Sequence, residues 1–254
     1  MTNGCARKTC YTPKACLELM FDVRLIAARE LSGNVRELTF EAGAEFEFEP
    51  GQWVNLYFPG HRNPSGEVVK HAYSIASAPS KNGRFDLVVA RENGGLGGAL
   101  LHAAHEGETF PTTGPFGAFL MAPMKRPILM VATGSGVAPF RAMLQASAAQ
   151  ARMPMALLFG NRDESELLYR AEFEALARTN VFFAFYPTLS RPHSSWKGLR
   201  GYVQLHLPEI LNSLRSPDCD VYICGQPSMV KDVRRLLQEE LSVEPKRVHV
   251  ERFG

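Results

Sequence analysis

No apolar run in this 254-residue chain approaches the ~20 residues that a membrane-spanning helix needs. The longest stretches are interrupted by Gly134 and Gly136 or by Gly160, so a soluble protein is the expectation. The amino terminus also lacks the apolar core and small-residue cleavage site of a secretory signal. An excess of charge of either sign is missing too. A net charge of +2 argues against a dedicated nucleic-acid binder, whose phosphate contacts call for a surplus of Lys and Arg. Cysteine is sparse and odd in number: Cys5, Cys10 and Cys16 near the start, Cys219 and Cys224 near the end. That distribution argues against a disulfide framework and fits a reducing, cytoplasmic compartment. The gaps of four and five residues in the first group match neither zinc knuckles nor plant-type ferredoxin spacing, so no metal is expected there. Residues 1–20 show no persistent periodicity and read as a poorly ordered leader.

What is present is an ordinary globular composition, 45% apolar and 21% charged, long enough for two domains of roughly 100–150 residues each. From Phe21 to Glu41 alternating apolar positions flank Ser32-Gly33-Asn34, the pattern of a β-hairpin. Strands are expected at Gln52–Phe58, around Tyr73 and at Phe85–Arg91, with a polar loop from Pro59 to Gly66. A helical turn at Ala99–Ala104 and a Gly114-Pro115-Phe116-Gly117 turn follow. Short strands at this spacing between Gly and Pro turns suggest a small closed antiparallel barrel over 21–124. Beyond about Lys125 the pattern changes. Ile128–Ala132 is a continuous apolar run of the kind buried on both faces of a parallel sheet, and Pro139–Gln150 reads as the helix behind it. Strands at Met155–Phe159, Val181–Tyr186 and Val221–Cys224 alternate with helices at Glu164–Arg178, Val203–Leu214 and Ser228–Leu241, with Pro208 a kink or break. A doubly wound α/β domain over 125–254 is therefore expected, with its ligand crevice at the carboxyl ends of the strands.

Four short stretches carry the chemistry. His71-Ala72-Tyr73-Ser74 sets an aromatic ring beside a hydroxyl where a strand enters a turn. Thr133-Gly134-Ser135-Gly136-Val137-Ala138-Pro139 follows a buried strand and opens a helix, where free amides and the positive end of the helix dipole favour a phosphate. It is neither the G-x-G-x-x-G fingerprint nor a P-loop. Cys224-Gly225-Gln226-Pro227-Ser228-Met229 lies at another strand's carboxyl end, and Glu251-Arg252-Phe253 nearly closes the chain. Singly, each also suits an ordinary turn or core position.

In this order and at these separations, the four resemble the ferredoxin-NADP reductase superfamily, a flavin-binding barrel followed by a nicotinamide-binding α/β domain. His71–Ser74 is similar to the family's Arg-x-Tyr-Ser, Thr133–Pro139 to its Gly-Thr-Gly-x-Ala-Pro, and Cys224–Met229 to its Cys-Gly-x-Pro-x-Met. The resemblance implies that Tyr73 packs on the isoalloxazine, that Ser74 hydrogen-bonds near its N5, and that Val88, Val89 and Ala90 offer backbone contacts. His71, Ala72 and the cluster Gly95, Leu96, Gly97 and Gly98 would complete the flavin site. It further implies Thr133, Gly134, Gly136, Val137, Ala138 and Pro139 against the nicotinamide nucleotide, with Gly225, Pro227 and Met229. Cys224 would sit beside the nicotinamide C4, Glu251 would position groups or relay a proton, and Phe253 would cover the flavin and move aside. Ser74, Cys224 and Glu251 are thus the implied catalytic residues.

Two departures stand out: His71 replaces the family's pyrophosphate-binding arginine, and Gly98 replaces a Ser or Thr. The resemblance favours FAD as the flavin. Arg162 and Arg191, with Ser190, match positions that NADPH-selecting members turn to the 2′-phosphate, beside an Asp163 that would repel it; NADPH or NADH is left open with a lean to NADPH. The implied activity is hydride transfer from NAD(P)H to FAD, then single electrons to a ferredoxin, a flavodoxin or an oxygenase component. Lys125, Arg126, Arg234, Arg235, Lys246 and Arg247 could form a docking patch for an acidic partner. The alternatives are a non-catalytic electron-transfer or regulatory subunit with weakened flavin binding, and a reductase of free flavins or quinones.

Overall fold

The computed structural model describes residues 20–91, 95–214 and 218–253. The reading of residues 1–19, with Cys5, Cys10 and Cys16, and Gly94 of the glycine cluster fall outside them. The first hairpin joins β1 (Phe21–Ser32) to β2 (Val35–Glu41), its turn pinned by Ser32 and Asn34 side chains 3.2 Å apart. β3 (Trp53–Arg62), β4 (Val68–Ser74), β5 (Arg84–Ala90), helix α1 (Leu96–Ala103) and β6 (Thr109–Phe116) complete the amino-terminal half. The strands run in the order β4-β3-β6-β1-β2-β5, all antiparallel. A bridge between Ile75 and Leu87 and a 2.8 Å bond from the Ala76 amide to the Asp86 carbonyl join the two ends, so the barrel closes as expected. Inward-facing Val23, Leu25, Leu38, Phe40, Leu56 and Phe85 fill it.

Two expected turns are strand instead. β3 continues through Pro59 to Arg62 because the ladder to β4 is interrupted between Phe58 and Arg62, where a proline's missing amide costs no bond. The loop shrinks to 63–67, with Asn63 Oδ1 accepting from the Ser65 and Glu67 amides. The Gly114–Phe116 segment ends β6, and the chain leaves the strand at Gly117, at φ 105°, against the Trp53 ring.

The carboxyl-terminal half holds β7 (Ile128–Thr133), α2 (Ala138–Ser147), β8 (Met155–Asn161), α3 (Arg170–Thr179), β9 (Phe183–Leu189), β10 (Leu199–Arg200), α4 (Leu207–Ser213), β11 (Asp220–Gly225), α5 (Pro227–Arg235) and β12 (Val248–Arg252). Its sheet is parallel, in the order β10-β9-β8-β7-β11-β12. The connection reverses direction between β7 and β11, which opens the crevice of a doubly wound sheet at their carboxyl ends. Alternate residues of β7 serve opposite faces: Met130 and Ala132 pack with α2, Leu129 and Val131 with α4 and α5.

The expected helix over Glu164–Arg178 is split into a 3₁₀ turn (Glu164–Glu166) and α3. Tyr169 separates them at φ 57°, sending its hydroxyl 2.7 Å to Glu37 of the barrel. Pro208 does not kink a helix but starts one, in the first turn of α4, where its missing amide is harmless. β10 and β12 were not expected: the first is two residues long and the second alternates too weakly, every residue but Arg252 being half-buried. The halves meet where Phe119 packs on Phe140 and Tyr222, with ring centroids 5.8 and 5.7 Å away, and where the Ala122 amide reaches the Tyr222 hydroxyl at 2.8 Å.

Candidate active site

Ser74 ends β4, Cys224 lies near the end of β11, and Glu251 is the partner of Cys224 in the register of β11 with β12. This brings together three residues up to 177 positions apart in sequence. Ser74 Oγ donates to Glu251 Oε2 at 3.0 Å, and Cys224 Sγ lies 3.8 Å from the same oxygen. Ser74 and Cys224 are buried, at 7% and 0% exposure, and Glu251 is half-buried. Burial raises the pKa of Glu251, and the bonds from Ser74 and Cys224 offset part of that rise. Burial, and then the neighbouring Glu251 charge, holds the Cys224 thiol far above its usual value. Cys224 is therefore a neutral donor, not a thiolate nucleophile.

Close backbone approach builds the crevice around this cluster. At Gly136 a side chain would collide with the Cys224 carbonyl, so the 3₁₀ turn of Gly134–Val137 lies directly on the end of β11. Thr133 Oγ1 accepts from the Gln226 amide at 3.3 Å, and the Phe253 amide donates to the Gly225 carbonyl at 3.2 Å. Gly134, at φ 54°, faces open space. Val137, Ala138 and Pro139 are buried, which leaves only their backbone for a ligand; Met229 is likewise core, and Pro227 opens α5.

On the barrel side, His71 and Tyr73 share one face of β4 and abut Gly97, where a Cβ would strike the His71 ring and the Tyr73 hydroxyl. Ala72, between them, is exposed. Gly98 lies just as close to the Ala90 carbonyl. α1 starts at Gly95 with no side-chain cap and no acid in its first turn, so its leading amides suit an anion. Its far end is held by Arg36, whose Nη1 donates to the Leu101 and His102 carbonyls at 3.1 and 2.7 Å. Among the described residues the strand β5 pairs past Leu87 only with β2, which leaves Val88–Ala90 one edge free of strand pairing there, with the Val89 carbonyl bonded to His102.

The match to known proteins covers most of the chain. Residues 22–121 match the oxidoreductase FAD-binding domain model and residues 130–235 the oxidoreductase NAD-binding domain model. The chain is 49% identical over 241 residues to ferredoxin--NADP reductase B of Sorangium cellulosum, covering 92% of this chain and 97% of that one. The chain belongs to the ferredoxin-NADP reductase family. It is an oxidoreductase with FAD- and nicotinamide-binding domains. It is also 31% identical over 231 residues to the toluate 1,2-dioxygenase electron transfer component of Pseudomonas putida, covering 89% of this chain and only 65% of that longer relative. Among solved structures, a ferredoxin NADP+ reductase from Neisseria gonorrhoeae with bound FAD and NADP shares the fold, with a TM-score of 0.77 at 22% identity, over 92% of this chain and 98% of that one.

The site fits both groups that the family binds. A half-buried tyrosine beside an uncapped helix start suits a flavin with its pyrophosphate, and the open left-handed turn at Gly134 on the switch point suits a dinucleotide. Farther along the crevice, the Ser190 amide bonds the Asn161 carbonyl at 3.0 Å and the Arg191 amide bonds the Arg162 carbonyl at 2.7 Å. The two arginines are thereby neighbours, and both are exposed. The Ser165 hydroxyl and amide occupy the Asp163 carboxylate and lower its pKa, so it is engaged within its own turn.

Sequence reasoning missed Tyr202, 69% exposed beside Gly201, whose amide bonds the Leu189 carbonyl at 2.8 Å. With Gln204, Leu205, Asp232, Arg235 and Leu236 it lines a surface groove of about 430 Å³. Gln204 Oε1 of this lining, and Asn161 Nδ2 at the end of β8, are buried without a partner among the described residues. The Gly-Tyr step shortly after Ser190-Arg191 was the available signal, but an isolated tyrosine has no period to mark it. The suggested basic patch is largely spent within the chain. Arg126 pairs with Asp218, Arg235 with Glu239 and Glu240, Lys246 with Glu244, and Arg247 with Asp218, Asp220 and Glu244. No helix among the described residues is long and apolar enough to cross a membrane.

Proposed function

We propose that the protein transfers hydride from NADPH to FAD and passes single electrons to a ferredoxin, with a flavodoxin or an oxygenase component as the other acceptors of suitable chemistry. The observation that carries this reading is the meeting of Ser74, Cys224 and Glu251 at one half-buried carboxyl group where the barrel faces the nicotinamide crevice. FAD, when bound, supplies the chemistry that takes up two electrons together and releases them singly. The chain's residues orient and shield that chemistry. Residues 21–124 form the flavin domain and 125–254 the nicotinamide domain.

Ser74 Oγ lies at the flavin edge, and Glu251, whose pKa burial raises, holds Ser74 and Cys224 in register and relays a proton there. Tyr73 offers the ring face, His71 and the start of α1 from Gly95 to Gly98 face the pyrophosphate, and Val88–Ala90 offer backbone groups. Thr133, Gly134 and Gly136 take the nucleotide's phosphates, Cys224 and Gly225 border the nicotinamide, and Phe253, tied to Gly225 by its amide, covers the stack. NADPH is favoured by the adjoining Arg162, Arg191 and Ser190, since paired guanidiniums match a phosphate dianion. Tyr202, Asn161 and Gln204 extend the same edge toward the adenosine half. A cytoplasmic location is supported by Cys219 and Cys224, both free thiols.

The test is an anaerobic stopped-flow titration of the FAD-loaded protein with NADPH and NADH. Rapid bleaching, faster with NADPH at low nucleotide concentration, is expected. Bound flavin that neither nucleotide bleaches would refute the reading and favour a subunit that receives its electrons from elsewhere.

A further inference from the structure

A second polar cluster crosses the domain interface, and none of the steps above uses it. Arg141, on α2, is buried to 8% exposure. Its Nη1 lies 3.0 Å from Asp86 Oδ2, 3.0 Å from the Ala76 carbonyl and 3.3 Å from Glu37 Oε2, all in the barrel. Its Nε donates to Glu172 Oε2 of α3 at 2.9 Å, and its guanidinium lies 4.2 Å over the Tyr169 ring. Tyr169 in turn donates its hydroxyl to Glu37 Oε2 at 2.7 Å, and Arg29 pairs with the other Glu37 oxygen at 2.7 Å. Gln145 adds a second link between the halves, accepting from the Ala78 amide at 3.0 Å and donating to Glu172 at 2.9 Å.

The addresses of these contacts matter more than their number. Ala76 lies two residues beyond Ser74, and Asp86 two residues before Val88. Arg141 lies one helical turn beyond the Gly134–Val137 turn. One guanidinium therefore ties together the segment that presents Ser74, the strand that offers Val88–Ala90, and the helix that follows the nucleotide turn. A buried ion cluster is weak evidence for added stability, because desolvation offsets most of the attraction; its better-attested use is to select one arrangement. The left-handed backbone at Tyr169 is consistent with that use, since a non-glycine residue held there costs about 1–3 kcal/mol and is retained by its surroundings.

We propose that Arg141 is a positioning residue for hydride transfer, locking the nicotinamide-binding half against the flavin-binding half so that donor and acceptor atoms meet in register. This rests on the reductase reading above. Small misplacements at a reacting centre are costly, about 10²-fold for 1 Å. Arg141→Met, in the FAD-loaded protein, is expected to slow flavin reduction at saturating NADPH at least ~10-fold. It should also weaken the long-wavelength absorbance of the stacked nicotinamide–flavin pair, with FAD occupancy and the NADPH Kd within about twofold of wild type. Arg141→Lys, which keeps the charge but not the fork, should recover part of the rate, and Tyr169→Phe should show a smaller loss of the same kind.

A wild-type reduction rate in Arg141→Met, or a loss that only tracks lost FAD, overturns the proposal. Should Arg141→Met not fold, wild-type rates in both Arg141→Lys and Tyr169→Phe overturn it. The clamp also has a readout independent of hydride transfer, because Trp53 lies in the barrel and Trp196 in the α/β half. Urea unfolding followed by each tryptophan in turn, the other replaced by Phe, should give coincident transitions with Arg141 and separated ones with Met. Coincidence in both refutes the clamp even if neither nucleotide reduces the wild-type flavin, an outcome that by itself sinks only the reductase reading.

Discussion

The interface between the two halves is joined in two different ways. Around Glu251 the contacts come from a hydroxyl and a neutral thiol on one carboxyl group whose pKa is raised, with Gly136 and Gly225 closing the backbone nearby. Around Arg141 they are full charges: one guanidinium among Glu37, Asp86 and Glu172. Charge-assisted bonds are roughly twice as strong as neutral ones, and breaking one inside a protein strands its partner. The fixed side of the interface is built from charge. The proposed reacting side is built instead from a hydroxyl and a neutral thiol on one half-buried carboxyl group.

If that division holds, the largest kinetic effect belongs to the neutral cluster. Ser74→Ala should slow flavin reduction by about 10²-fold, the usual loss when one preorganised donor is removed from a reacting centre. FAD should stay bound, because the hydroxyl's partner in the structure is Glu251 and not the flavin-side helix. Stopped-flow bleaching with a parallel measurement of flavin content checks this; unchanged kinetics would remove Ser74 from the chemistry. Next in size, Arg191→Ala should raise KM for NADPH by roughly 10-fold, the worth of one charge-assisted bond, and leave KM for NADH nearly unchanged. Equal effects on the two nucleotides would show that Arg191 does not read the 2′-phosphate.

The two sides were not equally legible in sequence. Ser74, Cys224 and Glu251 lie in short motifs, and the likeness of those motifs to the family's, not local patterning, marked them, while their meeting is a tertiary event. The closed barrel and the alternating β/α half were legible directly, since periods of 2 and 3.6 are written locally. Arg141 was not, because a lone arginine in an amphipathic helix has the signature of a solvated residue until Ala76 and Asp86 are brought against it. Tyr169 was masked by the helical pattern on both sides of it; its hydroxyl bond to Glu37, 132 positions away, breaks what local propensity would continue. β12 was missed because its half-buried residues alternate too weakly to mark a face.

A smaller effect tests the flavin side of the comparison. Gly97→Ala would press a methyl group on the His71 ring and the Tyr73 hydroxyl, and both must shift. Overpacking of this kind costs about 1–3 kcal/mol, so FAD should dissociate more readily, by roughly 10-fold, with little change in fold. Flavin retention on dilution, followed by fluorescence, measures it. Wild-type retention would mean that His71 and Tyr73 move at no cost to the flavin site.

The smallest effect concerns the proton on Glu251. Burial raises its pKa in the folded protein, so between the unfolded value and the raised one the native state holds a proton that the unfolded chain has released. In that window the folded state binds more protons, and stability falls as pH rises, levelling off once Glu251 ionises in both states. Glu251→Gln removes the titration while keeping an acceptor for Ser74, so the variant should gain on wild type as pH climbs from the ordinary carboxylate range through the raised value. Urea unfolding of the two FAD-loaded proteins across that range isolates the term, because every other titrating group is common to both. Parallel pH profiles would show that Glu251 ionises at its ordinary value and that its burial between the two halves does not hold the proton.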